Sequence, residues 1–177
     1  MKKLFCLAAL TTVLGLAASQ AAMADQTGQV QFNAKVESPT CTLSGQDMTH
    51  DLGAYSIADT AWSSTAYGLL KTVSDTIHVT DCPGSVSAVK VTPTWGRANA
   101  NTKAIADNEG TAKYVEMVVS TDGAGKKLYT SAVATTFPVA SGVAEIPFVQ
   151  TYRHDNSGTV STVGDIKFSA TLKFDYQ

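Results

Sequence analysis

Ile166-Lys167-Phe168-Ser169-Ala170-Thr171-Leu172-Lys173-Phe174-Asp175-Tyr176 is the stretch that decides the fold. Ile166, Phe168, Ala170, Leu172, Phe174 and Tyr176 occupy every second position, with polar or small residues between them. A period of two describes a strand with one apolar face. The sequence ends one residue later, at Gln177. A strand in that place is a sheet edge unless another strand covers it. An edge this long and apolar, left bare, would template aggregation. Something is therefore expected to cover it.

The same period recurs upstream. Val30, Phe32, Ala34 and Val36 alternate with Gln29, Gln31, Asn33 and Lys35. Ile77 and Val79 alternate with Thr76, His78 and Thr80, and Val89 and Val91 continue the pattern up to Pro93. Val115, Met117 and Val119 share one face of the run Tyr114 to Ser120, and Ile146, Phe148 and Tyr152 share one face of Val143 to Tyr152. Turn residues separate these runs: Pro83-Gly84, Asn108-Glu109-Gly110, Asp122-Gly123-Ala124-Gly125 and Asp155-Asn156-Ser157-Gly158, the last read as a hairpin turn. Ser56 to Leu70 has room for a short helical turn, and no segment carries a sustained helical period with caps. Short strands, turn chemistry and abundant Thr, Ser and Val predict an all-β sandwich in one domain.

The first residues place the chain outside the cytoplasm. Lys2 and Lys3 precede a mostly apolar stretch, Leu4 to Ala18, followed by small residues ending Ala22-Met23-Ala24. This reads as a signal peptide over residues 1–24, cleaved before Asp25. The alternative, an uncleaved anchor, suits the short apolar run less well. Loss of Lys2 and Lys3 takes the 13 basic residues to 11, against 15 acidic ones. A mildly acidic chain without a basic run is a poor partner for nucleic acid, whose binding rests on phosphate neutralisation. About 150 residues remain, which suits one domain with a real core.

Of the three cysteines, Cys6 lies in the leader. Cys41 and Cys82 are left, and in an oxidising compartment the pair reads as a structural disulfide. Two free thiols or a redox pair are the alternatives, and no C-x-x-C spacing supports the second.

Chemistry-bearing motifs are sparse. His50, His78 and His154 lie in separate segments without metal-ligand spacing, and read as surface or turn histidines, with His78 facing outward from its strand. There is no nucleophile elbow, phosphate loop or dinucleotide fingerprint. Asp155 to Gly158 lacks the carboxylate spacing of a calcium loop. Trp62 and Trp95 could stack on sugars if exposed, but read better as core or sandwich-edge aromatics. The residues point to no catalytic group, metal or cofactor, and the chain is read as a non-enzyme.

The N-terminal strand is the candidate cover for the last one. It begins just after the cleavage site and is tethered through Cys41. It can fold back on its own chain or reach into a neighbour, which is strand addition to an open edge; chaperone–pilin complementation is a standing example of that mode. Gly28-Gln29-Val30-Gln31-Phe32-Asn33-Ala34-Lys35-Val36, then Pro39-Thr40-Cys41, then Thr80-Asp81-Cys82, follow one another. Gly110-Thr111-Ala112-Lys113 leads into Val115 to Ser120 and Asp122-Gly123. Gly164 stands fourteenth from the end and Tyr176 is penultimate. In this combination the sequence resembles the chaperone–usher fimbrial subunits, the pilins of the type 1 fimbrial family, over essentially all of the chain after the leader.

The resemblance implies an incomplete immunoglobulin-like β-sandwich lacking its last strand and completed by donor-strand exchange. It implies a donor-strand segment at 25–40 and a pilin domain at 41–177. Val30, Phe32, Ala34 and Val36 would enter a neighbour's groove. Gly164, Ile166, Phe168, Ala170, Leu172, Phe174, Tyr176 and Gln177 would form the groove edge, which a periplasmic pilus chaperone holds before exchange at an outer-membrane usher. The product would be a homo- or hetero-polymer of fimbrial subunits on the cell surface. The family usually has glycine where this chain has Ala34, so that pocket is expected to be slightly wider or the exchange slower. The competing reading is a monomeric exported adhesin or lectin-like binding module whose groove is filled by itself.

Overall fold

The computed structural model describes residues 40–177. The signal peptide and the donor residues Val30, Phe32, Ala34 and Val36 lie outside the described residues. The described residues form eight strands and one short helix, in order: β1 (Thr42–Ser44), α1 (Thr60–Ser63), β2 (Leu69–Thr80), β3 (Ala88–Trp95), β4 (Ile105–Asp107), β5 (Val115–Ser120), β6 (Thr135–Pro138), β7 (Ala144–His154) and β8 (Ala170–Tyr176). They form a five-stranded sheet ordered β1-β2-β7-β5-β4 and a three-stranded sheet ordered β6-β3-β8. All the named pairings are antiparallel.

The core lies between the sheets, where their alternating residues meet. Ile77, Val79, Met117, Val119, Ile146, Phe148 and Tyr152 come from the larger sheet, and Val89, Val91 and Trp95 from the smaller. Trp95 and Tyr129 both pack near Phe148, with ring centroids 6.5 and 5.2 Å away. Each such large apolar side chain contributes about 1.5–3 kcal/mol on burial. Cys41 and Cys82 are joined by a disulfide. It sits where β1 and β2 pair, Thr42 opposite Thr80, and so ties the first strand to the end of the second.

Trp62 and Trp95 are 5% and 3% exposed, and each indole N–H donates to a backbone carbonyl, of Ser56 and Lys103. They are core aromatics. His78 faces outward beside Glu145. The helical turn expected within Ser56 to Leu70 is α1, capped by the Asp59 carboxylate accepting from the Ala61 N–H.

Several expectations need correction. Pro93 lies inside β3 rather than after it. It is tolerated because β6 pairs β3 only as far as Val91, so the missing N–H falls where that neighbour has ended. Every residue of β5 is buried, so its second face is covered too. On that face Glu116 is held laterally by Arg153 at 2.7 Å. Burial raises the Glu116 carboxyl pKa, and the Arg153 hydrogen bond and charge oppose that rise. His154 is fully buried, not a surface histidine. Its ring nitrogens each lie 2.8 Å from a carbonyl oxygen, of Asp155 and Thr159. Asp155 to Gly158 is a turn, with the Asp155 carboxylate accepting from the Ser157 N–H, but it closes no hairpin. β7 belongs to the large sheet and β8 to the small one, so the chain crosses the sandwich there.

Candidate functional site: the open side of the last strand

The last strand is shorter than its alternation predicts. Ile166 to Ser169 are not strand, and β8 begins at Ala170. The cause is upstream, because β3 ends at Trp95 and no longer offers a ladder. Two side chains stand in for it. Asn108 Oδ1 accepts from the Lys167 N–H at 2.7 Å, and Glu109 Oε1 accepts from the Ser169 N–H at 2.7 Å. The Gly96 N–H reaches the Ser169 carbonyl and the Glu109 N–H reaches that of Lys167. Residues 166–169 are thereby held extended without belonging to a sheet.

Among the described residues, β8 pairs only with β3. No other described strand pairs with its second edge. The phase of the ladder fixes what that edge offers. Ala88 and Gln177 exchange both backbone hydrogen bonds, so the odd-numbered residues of β8 bond to β3. The N–H and C=O groups of Ala170, Leu172, Phe174 and Tyr176 then point away from β3. These residues also share the apolar face of the strand. Leu172, Phe174 and Tyr176 are only half-buried, although they pack against the core.

A groove of about 1150 Å³ runs along this edge. One wall is the stretch from Gly164 to Phe174. The other is the segment Gln46 to Ile57, and the floor carries Met117, Phe148, Gln150 and Tyr152. The groove exists because the chain leaves β2 early. The β1–β2 ladder stops at Ser44 opposite His78, and Gly45 turns away with φ 75°. A Cβ at Gly45 would sit 2.8 Å from the Thr76 carbonyl, so only glycine makes this turn closely. Met48 and Leu52 still touch the core, and His50 bonds Asp75 at 2.8 Å, which anchors the wall to β2.

One end of the floor is polar. Gln150 donates to Asp75 at 2.8 Å, and the Tyr152 hydroxyl donates to Gln150. Burial, then the nearby Asp75 charge, pushes the Tyr152 phenol up to about 12, so it remains a donor at any ordinary pH. Gly164 closes the same end of the groove. A Cβ there would sit 2.5 Å from the Ala112 nitrogen, so the backbone approaches too closely for any side chain. At the other end, the Gln177 carbonyl oxygen accepts from the N–H groups of Ser87 and Ala88.

Of the sequence-derived groove residues, Gly164, Ile166, Phe168, Ala170, Leu172 and Phe174 line the groove, whereas Tyr176 and Gln177 continue along β3 beyond it. What sequence reasoning missed is the facing wall, Gln46 to Ile57, and the Asp75–Gln150–Tyr152 cluster. Asp75 carried a signal, since it shares the phase of Ile77 and Val79. Among the described residues, no group of three or more His, Cys, Asp or Glu is arranged to hold a metal.

The two-sheet, immunoglobulin-like sandwich shares its fold with solved pilus subunits. The chain is similar in structure to the P pilus rod subunit PapA, at 18% identity and a TM-score of 0.59, over 77% of this chain and 99% of that one. It is similar to the P pilus adaptor subunit PapF, at 15% identity and a TM-score of 0.50, over 78% and 97% of the two chains. The CupB6 tip adhesin from Pseudomonas aeruginosa matches at 13% identity and a TM-score of 0.53, over 62% of this chain and 31% of the adhesin. No protein-family model and no curated protein sequence matches the chain.

Proposed function

We propose that this chain is a structural, non-enzymatic subunit of a cell-surface fimbria. It is exported to the periplasm and captured by a pilus chaperone that lends a strand to the open edge of β8. At an outer-membrane usher the N-terminal segment of another fimbrial subunit replaces that strand. Residues 25–37 in turn enter a neighbour's groove, with Val30, Phe32, Ala34 and Val36 facing inward. Groove and donor lie on different parts of the chain, so the contact is heterologous and propagates as a filament.

One observation carries this reading: the residues that present half-buried apolar side chains to the groove are the same ones whose backbone groups at its edge have no partner among the described residues. An incoming strand satisfies both at once, with ladder hydrogen bonds for affinity and alternate side chains for specificity. The similarity of fold to rod and adaptor subunits supports it.

The test is capture in the periplasm. Phe174→Ala combined with Tyr176→Ala removes two side chains, each contributing about 1.5–3 kcal/mol when fully covered. The double variant is expected to co-purify with chaperone at least about tenfold less well, since about 1.4 kcal/mol corresponds to that factor. Its soluble level should fall in parallel. Unchanged co-purification would count against the proposal, as would a wild-type chain that is monomeric and stable without chaperone.

A further inference from the structure

A second cleft opens on the outer side of the large sheet and meets the end of the groove at Ala112. It measures about 680 Å³, and its lining includes Tyr67, Arg97, Asn101, Lys113, Tyr114 and Asn156. That volume is within the range of about 300–1,000 Å³ usual for small-molecule sites. We propose that this cleft binds a neutral sugar residue of a glycan. The inference does not depend on polymerisation.

Backbone strain marks the cleft. Tyr67 and Tyr114 both adopt left-handed conformations, with φ of 58° and 65°. Bulky residues rarely sit there, and glycine or asparagine would make the same turn at lower cost. Both tyrosines line one cleft. Tyr67 lies just before β2, Tyr114 just before β5, and Asp155 just after β7. Backbone bonds tie these points together: the Tyr67 N–H donates to the Asp155 carbonyl at 3.0 Å, and the Asp155 N–H to that of Tyr114 at 3.0 Å. Asparagine at either tyrosine position would preserve these backbone bonds. The bonds therefore account for the turns but not for the rings. Strain of this kind gathers where a side chain is required for binding.

Both rings are held in place. The Arg153 guanidinium lies 4.6 Å from the centre of the Tyr67 ring, and Arg153 is itself fixed by Glu116. The Tyr114 ring stacks on His154, at 6.3 Å and 20° between planes, and His154 is held from both nitrogens. Each ring is thus backed by an immobilised group. Tyr67 nevertheless remains 51% exposed. A rigid, exposed aromatic with an electron-rich face offers a platform for the C–H face of a sugar ring.

The polar lining suits an uncharged ligand. Arg97 and Lys113 are offset by Asp107 and Asp155, while Glu116 is neutralised by Arg153. Such a cleft gives no net attraction to a strongly charged ligand. Among the described residues, the Asn101 and Asn156 amides and the Lys113 ammonium have no side-chain hydrogen-bond partner. Together with the second oxygen of Asp107, they offer donors and acceptors suited to hydroxyl groups.

The test titrates the full exported chain, as assembled in its fibres, with methyl glycosides of galactose, mannose, N-acetylglucosamine and N-acetylgalactosamine. Saturation-transfer NMR and calorimetry are the readouts. At least one glycoside is expected to bind in the millimolar range or tighter. Tyr67→Asn should weaken it at least tenfold while leaving the thermal midpoint equal or higher, because asparagine tolerates the left-handed backbone. Asn101→Ala should also weaken binding, with no effect on folding. Binding by none of the four glycosides, or binding that survives Tyr67→Asn, would overturn the proposal. So would loss of self-association rather than of sugar binding in Tyr67→Asn, which would assign the cleft to a neighbouring copy.

Discussion

Export of the chain without residues 25–37 is expected to abolish filaments while leaving a subunit that still binds chaperone. The two outcomes separate because donor and groove are different parts of the molecule. The groove is complete within residues 40–177: β8 supplies the open edge, Gln46 to Ile57 the facing wall, and Met117, Phe148 and Tyr152 the floor. Deleting the donor removes none of these. It removes Val30, Phe32 and Val36, each contributing about 1.5–3 kcal/mol when buried, and one side of a backbone ladder. A loss of even about 3 kcal/mol is more than a hundredfold in an equilibrium constant, and surface fibres should fall by at least that factor. Electron microscopy and chaperone pull-down on the same cells check the two halves. Filaments of normal length from the deletion would sink the account.

Cys41→Ser should lose most of the folded subunit. The disulfide spans 41 residues of sequence. Closing a loop of that length constrains the unfolded chain by roughly 4 kcal/mol in the entropic model. Whole domains are stable by about 5–15 kcal/mol, and a sandwich missing the cover of one strand belongs at the low end. The bond also pins the chain at the point from which residues 25–40 depart. Urea unfolding checks the prediction: the serine variant should match the wild-type chain in reductant, both with a much lower midpoint than the oxidised protein. An unchanged midpoint would show that β1 and the end of β2 need no staple.

Period-two alternation carried most of the fold. Ile77 and Val79, Val89 and Val91, Ile146 and Phe148, and Leu172 to Tyr176 all have the phase the sequence predicts, because each lies on a strand with one face in the core. The paired cysteines were equally legible. What escaped was decided by residues distant in sequence. Ile166 to Ser169 keep the alternation but leave the sheet, since their partners are the side chains of Asn108 and Glu109. The first half of β2 was missed, as were β4 and β6, because short or edge strands bury too little to impose a pattern. The Gln46 to Ile57 wall has no periodicity at all. His154 is buried by carbonyls that only the crossing after β7 brings to it. The strained tyrosines have no sequence signal beyond their type.

The groove therefore reads in two halves. Its β8 side is written in the chain's last residues, and its other side emerges only when Gly45 turns the chain away from β2. Between them the sandwich lacks one strand's width of cover, and the described residues supply none.

Electron cryomicroscopy of sheared surface fibres containing this chain tests the central claim most directly. The account predicts a strand alongside β8 that is traceable to residues 25–37 of the adjacent copy or of another subunit's corresponding segment, with apolar side chains facing Leu172 and Phe174. Density showing that segment folded against β8 of its own subunit, or no strand beside β8, would contradict it.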